Sequence, residues 1–381
     1  MTSPAELCCH DCGATGLETA PGYARLTRVT SDCKPWPAGG QFALCRACGL
    51  VQTVTDARWQ AEADEIYRGY TIYHQSGGIE QPVFSADTGA GRSRSEAIVE
   101  ALLKHHPLPP QGRSLDIGCG NGAFLRACSR VLPNWSLCGS EVSDKYKQLV
   151  ESIPGVERMY GGPWEDIPGK FDLISLIHVL EHIPGPTAFL QRLASKLNPG
   201  GLLLLEVPDC SQNPFTLLIA DHSSHFAPAM LGSVAAKAGF EVLCATSSWV
   251  PKEATVVARK SAQSSPPPPA PLAESQIVFQ GCEVLERVVA QVEQLARERT
   301  YGIFGTSIAA TWLDSQTGGP ATFFVDEDPN RVGKQHLGKP ILGVSDLPEG
   351  STLYVALAPV LAERVAQRLR QARPGVTIRT P

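Results

Sequence analysis

Long hydrophobic runs are missing from this chain. No stretch approaches the roughly 18–20 uninterrupted apolar residues that a membrane-spanning helix needs. The opening segment, MTSPAELCCHDC, lacks the charged-then-apolar pattern of a secretory leader, so the expected location is the cytoplasm with no membrane partner. Basic clusters are missing too. The 33 Lys and Arg are outnumbered by 38 Asp and Glu, and no patch or tail gathers positive charge for a phosphate backbone. Nucleic acid is therefore not an expected partner. Charged residues make up only 19% and hydrophobic residues 43%, which excludes a disordered polyelectrolyte and leaves a globular composition. Cysteine is not scarce, at twelve, but Cys119, Cys138, Cys210 and Cys244 sit inside apolar runs, as small reduced hydrophobes do. A disulfide framework is not expected.

At 381 residues the chain calls for two or three domains. Residues 1–60 are rich in Cys, Gly and Thr; 61–94 form a Tyr-rich connecting segment. Residues 95–260 alternate strand-like and helix-like patterns. SAQSSPPPPAPLAESQ (261–276) reads as a semi-rigid linker, and 277–381 begin with a helical pattern followed by strand candidates. In the middle region RSLDIGCG is a strand entering a glycine turn, AFLRACSRVL a helix, WSLCGSEV a strand, FDLISLIHVL a fully apolar strand and LLLLEVP another. Apolar strands without alternation are covered on both faces, and their alternation with helices predicts an α/β, doubly wound, mostly parallel Rossmann-like sheet.

In such a sheet ligands bind at the carboxyl ends of the strands. LDIGCGNG lies there, with Gly118, Gly120 and Gly122 leaving bare backbone after Asp116. The spacing differs from the Gly-x-Gly-x-x-Gly of dinucleotide folds. Glu141 ends the next strand, where a carboxylate can accept from both hydroxyls of a ribose, and Trp164 with Glu165 or Asp166 could wall and bond an adenine. The alternative is a tight strand-to-helix turn and nothing more.

These segments, with EVS, FDLISLIHVLEHIPGPTAFLQRLASKLNPGGLLLLEVP and AAKAGFEVL, resemble class I S-adenosylmethionine-dependent methyltransferases over about residues 95–260. The resemblance implies that Asp116, Gly118 and Gly120 line the methionine and ribose part of the cofactor. Glu141 would hold the ribose, Trp164 and Glu165 flank the adenine, and His178 close the site. It also implies a last antiparallel strand, for which ATVVARK is the candidate.

Cys9-x2-Cys12 and Cys45-x2-Cys48 supply four thiolates as two knuckles, the ligand set of a closed structural zinc site. In a segment with few large apolar groups, metal binding adds directly to folding free energy. Cys8, His10 and Cys33 are spare candidates, and a redox-active pair is the competing reading.

Taken together, the knuckles, EIYRGYTIYHQSG, the middle region and a final Rossmann-like domain resemble the zinc-containing C-methyltransferases of nucleotide-linked keto-sugars. That resemblance implies a small-molecule partner and makes Tyr70 and Tyr73 candidates for contacting cofactor or substrate. Methyl transfer from a sulfonium needs alignment and removal of a proton from the acceptor. ADHSSHFAP offers Asp221, His222 and His225 for this, His222 as base with the adjacent carboxylate orienting it. Where that family has a Tyr-His-Glu-His run, this chain has Ile219, Ala220, Asp221 and His222. His182 is expected at a helix start or behind the site. Gly302 and Gly305 mark a glycine turn in the last domain that reads either as a nucleotide or sugar contact or as scaffold. A small-metabolite O-methyltransferase, a zinc-containing ribosomal RNA methyltransferase and an inactive scaffold are the rival readings.

Overall fold

The computed structural model describes residues 7–70, 80, 82–84, 91–261, 268–298 and 300–381. Its centre is a seven-stranded sheet made of β1 (Gly112–Ile117), β2 (Trp135–Glu141), β3 (Val156–Gly161), β4 (Phe171–Ile177), β5 (Leu197–Pro208), β6 (Phe240–Thr246) and β7 (Glu253–Lys260). The order is β3-β2-β1-β4-β5-β7-β6. The first five strands pair in parallel, and β7 runs antiparallel between β5 and β6. The apolar runs in β4 and β5 are buried along their length, as strands covered on both faces must be. The order reverses between β1 and β4, so the carboxyl ends of these strands open a crevice at the expected glycine turn.

The N-terminal region is built into this body. Glu18–Thr19, Phe42–Leu44 and Val51–Thr53 form an antiparallel sheet whose fourth strand, Ser224–His225, comes from the loop after β5. A two-stranded hairpin, Arg28–Val29 with Pro35–Trp36, and the helix Ala57–Arg68 complete it.

The stretch expected as linker differs in its second half. A 27-residue helix, Leu272–Glu298, starts inside it, because the residues after the proline run carry apolar side chains at helical spacing. Ser275 on this helix donates to the carbonyl of Gly49 at 2.6 Å, and a Glu274 oxygen accepts from the Met230 amide at 3.1 Å. One apolar cluster accordingly runs from the N-terminal sheet through one face of the central sheet and the long helix to Tyr301, Ile303 and Trp312. The last region carries a six-stranded sheet, parallel apart from the short Gln335–His336 strand, with its own second cluster around Leu353 and Val355.

Candidate active site

The turn after β1 has positive φ at Gly118 (70°), Gly120 (53°) and Gly122 (82°), a conformation that costs side-chain-bearing residues dearly. A Cβ at Gly118 would stand 2.4 Å from Val179 Cγ2. The turn is therefore both closed to side chains and bare on its open side. Glu141 at the end of β2 reaches it: Oε1 accepts from the Gly120 amide at 2.7 Å and Oε2 from the Val142 amide at 3.1 Å. Its carboxylate is thus fixed at the crevice, and Val142 beside it is exposed. This cradle fits an adenosyl group with its ribose at Glu141.

Asp116 departs from the lining role expected of it. It is 3% exposed under the turn, its Oδ1 accepting from Ser175 Oγ at 2.7 Å, and burial pushes its pKa up to about 7. It follows β1's inward-facing period and so ties β1 to β4 from beneath. Trp164 packs edge-on to Phe189 at 5.5 Å, and Glu165 turns outward to Arg192 at 3.8 Å.

His178, at the end of β4, has φ 55° and donates its amide to the carbonyl of Glu206 at 2.8 Å. Its ring meets Arg94 Nη1 at 2.7 Å, Glu253 at 3.2 Å and Glu181 at 3.4 Å. Burial and Arg94 disfavour its charged form, yet the carboxylates of Glu253 and Glu181 outweigh them and raise it to about 9. Beside it Glu206, fully buried, is pushed up to about 8 by burial and by Glu253. Glu181 is buried as well, with neither carboxylate oxygen hydrogen-bonded among the described residues.

On the acceptor side the structure rearranges the expected partners. Asp221, fully buried, turns its carboxylate to Ser31 and His182, away from His222. The two residues lie in a turn closed by the His222 amide on the Ile219 carbonyl at 3.2 Å, and the acid's oxygens are already taken by Ser31 and His182. His182 Nδ1 lies 3.3 Å from Asp221 Oδ2, 3.1 Å from the Asp221 carbonyl and 3.0 Å from the Tyr67 hydroxyl. Burial disfavours the His182 imidazolium, but Asp221 more than compensates and raises its pKa. His222 stacks edge-on against His182 at 4.6 Å and is held well below the ordinary histidine range by burial and by the neighbouring histidines.

His225 is a second departure. It lies in the strand paired with Val51, its Nε2 3.1 Å from Thr53 Oγ1 and its ring edge-on to Phe42 at 5.2 Å. Burial pushes it down to about 3, so it is a neutral packing residue between sheet and core. Tyr70 is exposed on the chain leaving the Ala57–Arg68 helix. Tyr73 lies outside the described residues.

Residues 91–245 match a family described as Methyltransferase domain. This stretch is a methyltransferase domain. It is 32% identical over 120 residues to ubiquinone biosynthesis O-methyltransferase of Xanthomonas euvesicatoria pv. vesicatoria (strain 85-10), covering 28% of this chain and 47% of that protein. Trans-aconitate 2-methyltransferase of Rhodopseudomonas palustris (strain BisB18) is 29% identical over 123 residues, with coverage of 32% and 48%. The chain spans about half the length of the curated relatives it matches. Among solved structures, an S-adenosylmethionine-dependent methyltransferase from Clostridium acetobutylicum ATCC 824 is 12% identical with a TM-score of 0.38, covering 54% of this chain and 98% of its own.

Around the methyltransferase domain the four cysteines converge. The sulfurs of Cys9, Cys12, Cys45 and Cys48 all lie within 4.8 Å of one another, with 3.6 Å between Cys9 and Cys48 and between Cys12 and Cys45. Tetrahedral zinc with bonds of about 2.3 Å sets sulfurs roughly 3.8 Å apart, so the set fits that ion. Each knuckle closes with a hydrogen bond to the carbonyl of its first cysteine, donated by the Gly13 amide to Cys9 and by the Gly49 amide to Cys45. The first knuckle also touches the domain directly. His10 Nδ1 accepts from the Gly185 amide and Nε2 donates to the Ser223 carbonyl, both at 3.0 Å. Asp11 accepts from the amide and hydroxyl of Thr187 at 2.9 and 3.0 Å, in the first turn of the helix Pro186–Leu193.

Tyr67, Ser31, Arg94, Glu206 and Glu253 belong to this arrangement and were not singled out from the sequence. Tyr67 stood in the quoted Tyr-rich run, and its position near the end of an amphipathic helix was the available signal. Ser31 had none, since its partner lies 190 residues away.

Proposed function

We propose that this chain transfers a methyl group from S-adenosylmethionine to a small-molecule acceptor held between the glycine turn and His182. Bound there, S-adenosylmethionine supplies the methyl group of its sulfonium. Gly118 and Gly120 give bare backbone for close approach, Glu141 takes the ribose hydroxyls, and Trp164 stands at the adenine end. His182, with Asp221 holding its Nδ1–H, presents Nε2 to the acceptor and takes its proton as the new bond to methyl forms. A neutral His222 packed on its edge keeps water and a second positive charge away. His222, the base expected from the sequence, becomes a packing partner in this reading, because burial disfavours its protonation. The observation that carries the assignment is the Asp221–His182 pair at the same end of the sheet as the glycine turn.

For the acceptor we propose a carbon of a nucleotide-linked keto-sugar. The thiolate knuckles clamped to the site, the Tyr-bearing helix over it and the last Rossmann-like region support that choice. Carbon methylation beside a ketone requires a base of near-neutral pKa, which His182 offers. The test is to incubate the protein with isotopically labelled S-adenosylmethionine and a panel of nucleotide keto-sugars, and to look for a gain of one methyl by mass spectrometry. Labelling of a carbon is expected. Labelling of an oxygen would replace the proposal with a sugar O-methyltransferase, and no binding of S-adenosylmethionine in calorimetry would remove it.

A further inference from the structure

The base on the acceptor side is completed from outside the methyltransferase domain. Asp221 is fully buried, so its oxygens depend on protein donors. Ser31 supplies two of them. Its amide donates to Oδ1 at 2.9 Å and its hydroxyl to Oδ2 at 2.6 Å, and the same Oδ2 faces His182 Nδ1 at 3.3 Å. The hydroxyl contact is the shorter and fixes the rotamer from which Asp221 reaches the imidazole.

Ser31 is itself held firmly. It lies in the turn between Arg28–Val29 and Pro35–Trp36, where the amides of Thr30 and Lys34 bond across the turn and Cys33 donates to the Thr30 carbonyl. Val29 accepts from the Ala220 amide at 2.9 Å, so the hairpin and the Asp221 loop are also stitched by backbone. The N-terminal region thereby delivers a hydroxyl to a carboxylate that the methyltransferase domain supplies.

We propose that Ser31 is a positioning residue that acts through Asp221 to hold His182 in its Nδ1–H tautomer, leaving Nε2 bare toward the acceptor. The inference rests on the reading of His182 as base. His182 Nδ1 meets the Asp221 carbonyl at 3.1 Å, which only accepts, and the Tyr67 hydroxyl at 3.0 Å, which can donate to a bare Nδ1; a carboxylate gripped by two donors from one residue adds a second acceptor and tips the proton onto Nδ1.

The test needs no acceptor. Full-length protein labelled with ¹⁵N-histidine gives ring-nitrogen shifts that report the tautomer, the His182 signals being those absent from His182→Gln. Wild-type protein at a pH above the His182 titration is expected to show the Nδ1–H form alone. Ser31→Val, which keeps shape but drops the hydroxyl, should give a mixture of tautomers, while Ser31→Thr restores the single form. In an Asp221→Asn background Ser31→Val should add little, because the charge that Ser31 holds against His182 is then gone. A single tautomer in Ser31→Val overturns the proposal, as does an equal effect in both backgrounds. If Asp221→Asn leaves the tautomer untouched, the Asp221 carbonyl alone sets it and the carboxylate's part in the pairing fails, a different and separable result.

Discussion

In the proposed mechanism His182 and Asp221 divide a task that the chain could have given to adjacent residues. With its pKa raised by a buried carboxylate, His182 must lose its proton before it can act, so kcat/KM is expected to rise with pH through a value above 6.5. Asp221→Asn removes the charge that holds that proton and should move the inflection to lower pH while reducing kcat, on the order of 10²- to 10⁴-fold. A pH–rate profile with both proteins checks this. Stability follows a matching sign: the raised His182 contributes below the ordinary histidine pKa and stops contributing as pH climbs through its folded value. Glu206 behaves oppositely to most carboxylates. Kept protonated by burial and by Glu253 up to about 8, it costs stability as pH rises from 4.5, at most about 1.4 kcal/mol per pH unit. Glu206→Gln should flatten the fall in melting temperature between pH 5 and 8.

At the level of elements, the glycine turn and the first cysteine knuckle each position a helix start or strand end. Gly118→Ala must place a Cβ on Val179 at a φ of 70° and is expected to abolish binding of S-adenosylmethionine in calorimetry, with a lower melting temperature. Asp11→Ala removes the acceptor for Thr187 and should cost about 1 kcal/mol in chemical denaturation, in the range of a lost helix cap. These elements were largely legible beforehand. The central strands and the antiparallel β7 announced themselves through unbroken apolar runs, and Gly118, Gly120 and Glu141 through their places at strand ends. The side-chain partnerships were not legible. Asp221 was matched to its sequence neighbour because proximity along the chain is visible and a hairpin 190 residues away is not. His225 was read as a candidate for proton removal because the two-residue strand that buries it carries no period. Asp116 was expected to line the cofactor with Gly118 and Gly120, whereas the alternation of the strand turns its side chain beneath the turn onto Ser175.

Across the whole molecule the three regions share their burial. Among the described residues no helix is long and apolar enough to cross a membrane. The long helix bonds the second knuckle through Ser275 and the methyltransferase domain through Glu274, so loss of order in one region reaches the others. Metal analysis of purified protein should find one zinc per chain. Stripping it with a chelator should lower the melting temperature of the entire chain in a single transition, since the thiolate set holds His10 and Asp11 against the loops that carry His182 and Ser223.

The Ser224–His225 strand makes the N-terminal sheet dependent on residues synthesised long after it. While the ribosome is still working through the central sheet, Val51–Thr53 presents an uncovered edge to solvent, the kind of surface on which nascent chains join one another. Expression of this protein should therefore be sensitive to translation speed between those two points, and early termination before residue 224 should yield aggregates instead of a soluble metal-binding fragment.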